Sequence, residues 1–177
     1  MDKLTPKQTS KGAEEIVLTQ IKQDFITPAN AIFDYVDIAE KALIDAQLES
    51  TDEIEQIKSS CSKLIDQYDV AFVQNTGANA DSSKKSPEEY SELRHNLRTP
   101  LNAIIGYSEI LMEDYEDDLD EGTLEDFQQI INLARDTETA IEKFVDFIRG
   151  EAVDIKDDNS SNQLQSAESL FKSLGEI

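Results

Sequence analysis

The sequence has little of what builds disulfides, metal sites or sharply turning folds. A single cysteine, Cys61, occurs among 177 residues, so an internal disulfide and a multi-cysteine metal site are excluded. Only six glycines and four prolines occur, which favours a small number of long helices. No apolar run approaches the roughly 20 residues that span a bilayer, and the N-terminus lacks the apolar stretch of a signal peptide. We therefore expect a cytoplasmic protein without membrane insertion.

Basic residues are also scarce. The 16 lysines and arginines face 38 aspartates and glutamates, which gives a formal charge of −22. Such a chain repels phosphate backbones and anionic lipid surfaces, so nucleic acid and membranes are poor candidate partners. The length suits one domain of ordinary size or two very small ones, and 38% hydrophobic residues are enough for a helical core.

Apolar residues recur at helical spacing in four segments that begin with capping signals. Thr5-Pro6-Lys7-Gln8 resembles a capping box, although Gly12 could delay that helix. Ser86-Pro87-Glu88-Glu89 is a stronger helix start, and Thr123 is the predicted cap of the last helix. The predicted helices cover residues 13 to about 48, 51 to about 73, 86 to about 115 and 123 to about 149.

These helices divide the chain into a lead-in, a first hairpin, a polar linker, a second hairpin and a polar tail. Their predicted bounds are residues 1–12, 13–74, 75–85, 86–149 and 150–177. The tail ends in NQLQSAESLFKSLGEI. This segment is either a short amphipathic helix or the stub of a connection to a further domain.

One stretch of sequence occurs twice. Shifting the chain by 72 positions places KQDFITPANAIFDY, residues 22–35, on RHNLRTPLNAIIGY, residues 94–107. Each copy lies on the first helix of its hairpin, and a two-helix hairpin cannot bury its apolar face alone. Two hairpins packed together can. The sequence therefore predicts an all-α protein whose hairpins form an intramolecular four-helix bundle.

The only histidine, His95, lies in the second copy, and Gln23 stands at the matching place in the first. A helix turns about 100° per residue, so His95 lies about 200° from the apolar positions on either side and points outward. No second histidine or cysteine stands at metal-ligand spacing, and no Ser-His-Asp signature is present. An exposed imidazole flanked by Arg94 and Arg98 can accept a phosphoryl group, because guanidinium groups favour the resulting dianion. The predicted core stripe of this helix comprises Tyr90, Leu93, Leu97, Leu101, Ile104, Ser108 and Leu111.

A proline interrupts the same helix five residues after the histidine. Pro100 has no N–H for the carbonyl of Asn96, so a kink is predicted beside His95. Pro28 repeats this defect in the first hairpin. The pair is either an inherited bend that shapes the bundle or a hinge.

The segment HNLRTPLNAIIGYSEIL, from His95 to Leu111, closely resembles the H-box of sensor histidine kinases. In that family, the dimerisation and histidine-phosphotransfer domain is a helical hairpin that pairs with a second copy into a four-helix bundle. The resemblance implies that His95 is the phosphoacceptor and that Pro100 matches the family's kink. It also implies that Thr99 stands where family members orient water to dephosphorylate a response regulator.

Three departures from the family pattern matter. The family usually has Glu or Asp, a proposed base, directly after the histidine, where this chain has Asn96. Gln23 leaves the first hairpin without an acceptor. The asparagine box and glycine-rich lid of an ATP-binding domain do not follow, so we expect no autonomous kinase activity.

We therefore expect a pseudo-dimeric phosphotransfer module that is a monomer in solution and needs no cofactor. Its expected partner is the receiver domain of a response regulator, docked near Arg94, Arg98 and Gly106. An alternative is a non-catalytic connector with a vestigial His95, which passes a signal to an output domain such as a nucleotide cyclase or phosphatase in a longer chain. A third interpretation is a helical interaction bundle without phosphoryl chemistry.

Overall fold

The computed structural model describes residues 6–48, 51–77 and 85–150. All regular structure in this part of the chain is α-helical, which confirms the predicted fold class. The helices are α1 (Pro6–Asp45), α2 (Thr51–Asn75), α3 (Pro87–Asp114) and α4 (Glu121–Ile148). Within the described residues, no helix is long and apolar enough to cross a membrane.

The four helices form a bundle in which each helix packs against two others. Helix α1 packs against α4 and α2, and α3 packs against α2 and α4. The two helices that carry the repeated motif, α1 and α3, are therefore diagonal to each other. One core cluster draws apolar side chains from all four helices. The two hairpins thus share a single interior, as the sequence predicts.

Aromatic side chains within this core join the two halves of the sequence. The ring of Tyr68 on α2 stacks on Phe25 of α1, with the ring centroids 3.5 Å apart. It also lies 5.0 Å from the ring of Phe144 on α4, and Phe72 lies 5.9 Å from that same ring. Because Phe144 belongs to the second hairpin, these contacts cross from one half of the sequence to the other.

Buried positions recur between the hairpins at a nearly constant offset. Helix α1 matches α3 at an offset of 72 residues, and α2 matches α4 at an offset of 73. The second hairpin therefore has one additional residue between its two sets of core positions. The buried pairs that show these offsets include Phe25 with Leu97, Ala29 with Leu101, Ile32 with Ile104, Ile54 with Phe127, Ile57 with Ile130, Cys61 with Ala134 and Tyr68 with Ile141.

Helix α1 begins at Pro6, where the Thr5-Pro6-Lys7-Gln8 signal predicts a start, so the delay by Gly12 to residue 13 is wrong. The predicted start of the last helix also needs correction. The cap of α4 is Asp120 rather than Thr123, and its carboxylate accepts hydrogen bonds from both the Thr123 N–H and the Thr123 hydroxyl at 2.7 Å. These two bonds stabilise the charged carboxylate and lower the pKa of Asp120. The capping box at Ser86 is confirmed.

One apolar residue of α1 lies outside the core. Ile16 is 57% exposed. The amine of Lys22 lies over the ring of Phe72, close to the end of α2, so α1 has passed that end by the level of Ile16. Neighbouring side chains therefore do not enclose Ile16. The possible amphipathic helix in residues 162–177 lies outside the described residues.

Candidate functional site

The face of α3 that carries the histidine is opposite the core. Five residues of the predicted stripe are buried, and Tyr90 and Leu93 are partly buried against the core. His95 is exposed, as its position on the helix predicts. Gln23 is exposed at the matching place on α1. The bundle therefore presents one imidazole to solvent, on the second hairpin.

Two arginines beside the histidine are held by acidic residues of α4. Arg94 lies with its Nε 2.9 Å from Glu142 Oε2 and its Nη2 3.6 Å from Asp146 Oδ1. Arg98 lies with its Nε 3.3 Å from Glu138 Oε1 and its Nη2 2.5 Å from Glu142 Oε1. We call these five residues the α3–α4 ion ladder. It joins α3 to α4 directly beside His95.

The ion ladder bears on the role that the sequence predicts for Arg94 and Arg98. Sequence reasoning assigns Arg94 and Arg98 to an incoming phosphoryl group, yet both guanidinium groups already contact carboxylates. An anion at His95 would compete with those carboxylates. The sequence analysis did not predict the acidic partners of these arginines. Their spacing of four residues on α4 nevertheless matches the spacing of the arginines on α3. These partners are Glu138, Glu142 and Asp146.

Thr99 lies one helical turn after His95 and is exposed. Its hydroxyl donates a hydrogen bond to the backbone carbonyl of His95 at 2.9 Å. Pro100 is buried, and α3 continues through it as one helix from Pro87 to Asp114. Because proline has no N–H, the carbonyl of Asn96 lacks its usual helical donor. The series of helical hydrogen bonds therefore lacks one bond immediately after the histidine.

The residue that follows the histidine faces the other hairpin. Asn96 lines an open groove between α2 and α3, together with Leu93 and with Gln67 and Val70 of α2. Gly106 is half-buried further along α3, and a Cβ atom there would meet nothing within 4 Å. Packing within the bundle therefore does not require glycine at position 106.

A second open groove lies between α3 and α4, closer to the turn of the hairpin. Its apolar floor is formed by Met112, Leu124 and Ile131. Three exposed glutamates border it, two on α3 and one in the turn after α3, and Gln128 and Arg135 of α4 complete its lining. We call this surface the α3–α4 groove. The bordering glutamates are Glu109, Glu113 and Glu116.

Comparison with known proteins gives one match, over the second hairpin. Residues 88–153 match the family model described as His Kinase A (phospho-acceptor) domain. No curated protein and no solved structure matches the chain significantly. The matched segment contains His95, the ion-ladder arginines and almost all of α3 and α4. The match identifies a His Kinase A (phospho-acceptor) domain at residues 88–153, which indicates two-component signalling, and the described part of this segment is the α3–α4 hairpin.

Proposed function

We propose that this protein is a phosphotransfer and docking module of a two-component system, with His95 as its phosphoacceptor. The observation that carries the proposal is an exposed histidine on the acceptor helix of a phospho-acceptor domain. The module is not a kinase on its own. It exchanges a phosphoryl group with the receiver domain of a response regulator.

The chemistry requires a neutral imidazole. A lone pair on one ring nitrogen of His95 attacks the phosphorus of an aspartyl phosphate on the receiver. The P–N bond forms as the P–O bond breaks, the receiver regains its carboxylate, and the other ring nitrogen releases its proton. The arginines of the ion ladder stand on both sides of His95 in the sequence, and they stabilise the new dianion only when they exchange a carboxylate contact for it.

A single chain supplies both hairpins in this proposal. The matching burial offsets, the diagonal arrangement of α1 and α3 and the shared core support a tandem repeat whose first copy is degenerate. The first hairpin then replaces the second subunit that a kinase domain recruits by dimerisation. We expect a monomer of 19.9 kDa by light scattering. A stable dimer would show that hairpins pair between chains.

The decisive experiment follows the phosphoryl group. Receiver domains encoded by the same genome are phosphorylated with labelled acetyl phosphate and mixed with the protein. We expect acid-labile label on the wild type and none on His95→Gln, which gives position 95 the residue that the first hairpin has at Gln23. Gln23→Ala is the matched control and keeps the label. Wild-type protein that remains unlabelled with every receiver contradicts the proposal.

A second candidate function is a connector that binds or transmits without phosphoryl transfer. It is favoured by Asn96, which cannot act as a base, and by the carboxylates that already hold Arg94 and Arg98. In a connector, His95→Gln leaves the signal to the output domain unchanged. Receiver binding without any label on His95, together with an unchanged output from His95→Gln in the longer protein, would favour the connector.

A further inference from the structure

The two hairpins differ at the level of the α3–α4 groove. The offsets of the core positions place Met112 at the level of Glu40 and Ile131 at the level of Lys58. Leu124 corresponds in the same way to Thr51. The three apolar residues that form the floor of the groove in the second hairpin are therefore charged or polar in the first.

The charged residues of the first hairpin are joined across its surface. The amine of Lys58 on α2 contacts the Glu40 carboxylate on α1 and lies 3.3 Å from Asp37 Oδ1. Its hydrogen bonds to Glu40 and Asp37 raise the pKa of Lys58. We call this contact the Lys58 bridge. It spans α1 and α2 at the place where the second hairpin has an open apolar floor.

We propose that the docking surface of this bundle is one-sided: the α3–α4 groove takes one helix of a single receiver domain, and the Lys58 bridge closes the matching place on the first hairpin. This inference rests on the proposed function for the identity of the partner. A homodimeric bundle offers two equal docking surfaces, whereas this chain offers one.

The chemistry of the groove specifies the helix that it binds. Met112, Leu124 and Ile131 suit an apolar stripe at helical spacing. Glu109, Glu113 and Glu116 add three exposed negative charges against the single positive charge of Arg135, and the whole chain carries −22. The complementary surface is therefore an amphipathic helix with basic residues beside its apolar stripe.

The position of the groove fits a domain that also reaches the histidine. Glu109 lies 14 residues after His95, which corresponds to about 21 Å along a helix that rises 1.5 Å per residue. A compact domain of about 100 residues has a radius of gyration of about 13 Å and is therefore roughly 35 Å across. One receiver can thus contact the groove and place its aspartate near His95.

Calorimetric titration of the His95→Gln protein with each receiver domain of the same genome tests this inference. This variant cannot be phosphorylated, so docking is measured separately from transfer. We expect at least one receiver to bind with a stoichiometry of one per chain. Transplanting the bridge residues into the second hairpin, with Met112→Glu and Ile131→Lys, should weaken binding at least tenfold, because a buried apolar contact is replaced by charge. The matched control, Glu40→Met with Lys58→Ile, leaves the affinity of the groove within about twofold.

Ile131 is buried, so the transplanted variant must first be shown to remain helical and cooperative on melting. A second variant avoids this difficulty. Replacement of all three exposed glutamates by glutamine should weaken binding and reduce its dependence on salt. Two receivers bound per chain, unchanged affinity in both groove variants, or no binding by any receiver would overturn the inference. Phosphotransfer in a protein whose groove variants bind normally would leave the proposed function standing and remove only the one-sided surface.

Discussion

The two hairpins share a pattern of buried residues but place ionic contacts at opposite ends. Near the level of His95, the second hairpin joins its helices through the ion ladder. The matching positions of the first hairpin include Ile26 and Ile65, which pack against the core where the second hairpin has Arg98 and Glu138. Near the turn, the first hairpin has the Lys58 bridge and the second has the open groove.

This comparison distinguishes the residues that form the shared core from the surface residues that a partner would contact. Both hairpins keep an apolar stripe, because a shared core requires one from each helix. The second hairpin has an exposed histidine and an apolar groove between its helices, and at the matching places the described part of the first hairpin has Gln23 and the Lys58 bridge. The first hairpin therefore shares the core stripe but not the surface features that a partner would contact beside His95. The predictions below test that division.

The largest expected effect concerns the acceptor position. If the second hairpin alone serves the partner, a histidine placed on the first hairpin cannot replace His95. We predict that Gln23→His in a His95→Gln background gains no acid-labile label and stays at least about 100-fold below the wild type. The measurement is transfer from a phosphorylated receiver, with helicity checked by circular dichroism. Recovery of label at position 23 would show that the hairpins are functionally equivalent.

The next effect concerns the core that the hairpins share. Phe144 is fully buried and contacts Tyr68 and Phe72 of the first hairpin. We predict that Phe144→Ala lowers the free energy of unfolding by about 3–5 kcal/mol, because a large buried ring leaves a cavity. Urea denaturation measures this loss. Ile110→Ala, at a residue that is 43% exposed on α3, is the control and should cost less than about 1 kcal/mol.

Much of this core was predictable from local sequence, whereas the partners of charged groups were not. The outward position of His95 and the burial of Leu97, Leu101 and Ile104 follow from helical periodicity alone. The acidic partners of Arg94 depend on how α3 and α4 lie beside each other, which spacing within one helix does not fix. Asp120 and Thr123 are both good caps, and only the geometry of the turn shows that Asp120 begins α4.

A smaller effect concerns the pH dependence of stability, to which Cys61 of the first hairpin contributes and the matching residue of the second does not. Burial raises the pKa of Cys61 to about 12, and Ala134 occupies the matching place on α4. The thiol of the folded protein keeps its proton at pH values where the thiol of the unfolded chain, with the ordinary pKa of 9.0, loses it. Stability contributed by Cys61 is therefore complete below pH 9 and falls as the pH rises toward 12.

We predict that Cys61→Ala flattens this alkaline decline by up to about 1.4 kcal/mol per pH unit, the value for one proton. Urea denaturation of both proteins between pH 8 and about pH 10.5 gives the two slopes. Ala134→Ser on the second hairpin is the matched control, because it adds no group that titrates in this range. Parallel slopes for the wild type and Cys61→Ala would contradict the burial of the thiol.

The smallest effect concerns the ion ladder. The side chains of Arg98 and Glu138 are each 40% exposed, so water screens their attraction and the pair contributes little to stability. We predict that Arg98→Gln lowers the free energy of unfolding by about 0.5–1 kcal/mol and that high salt removes most of this difference.

The double variant Arg98→Ile with Glu138→Ile reproduces the Ile26 and Ile65 pair of the first hairpin and should be at least as stable as the wild type. If that double variant is as stable as expected and still accepts a phosphoryl group at the wild-type rate, the ion ladder serves only to pack α3 against α4. If it is stable but accepts slowly, the arginine is kept at this position for the phosphoryl group.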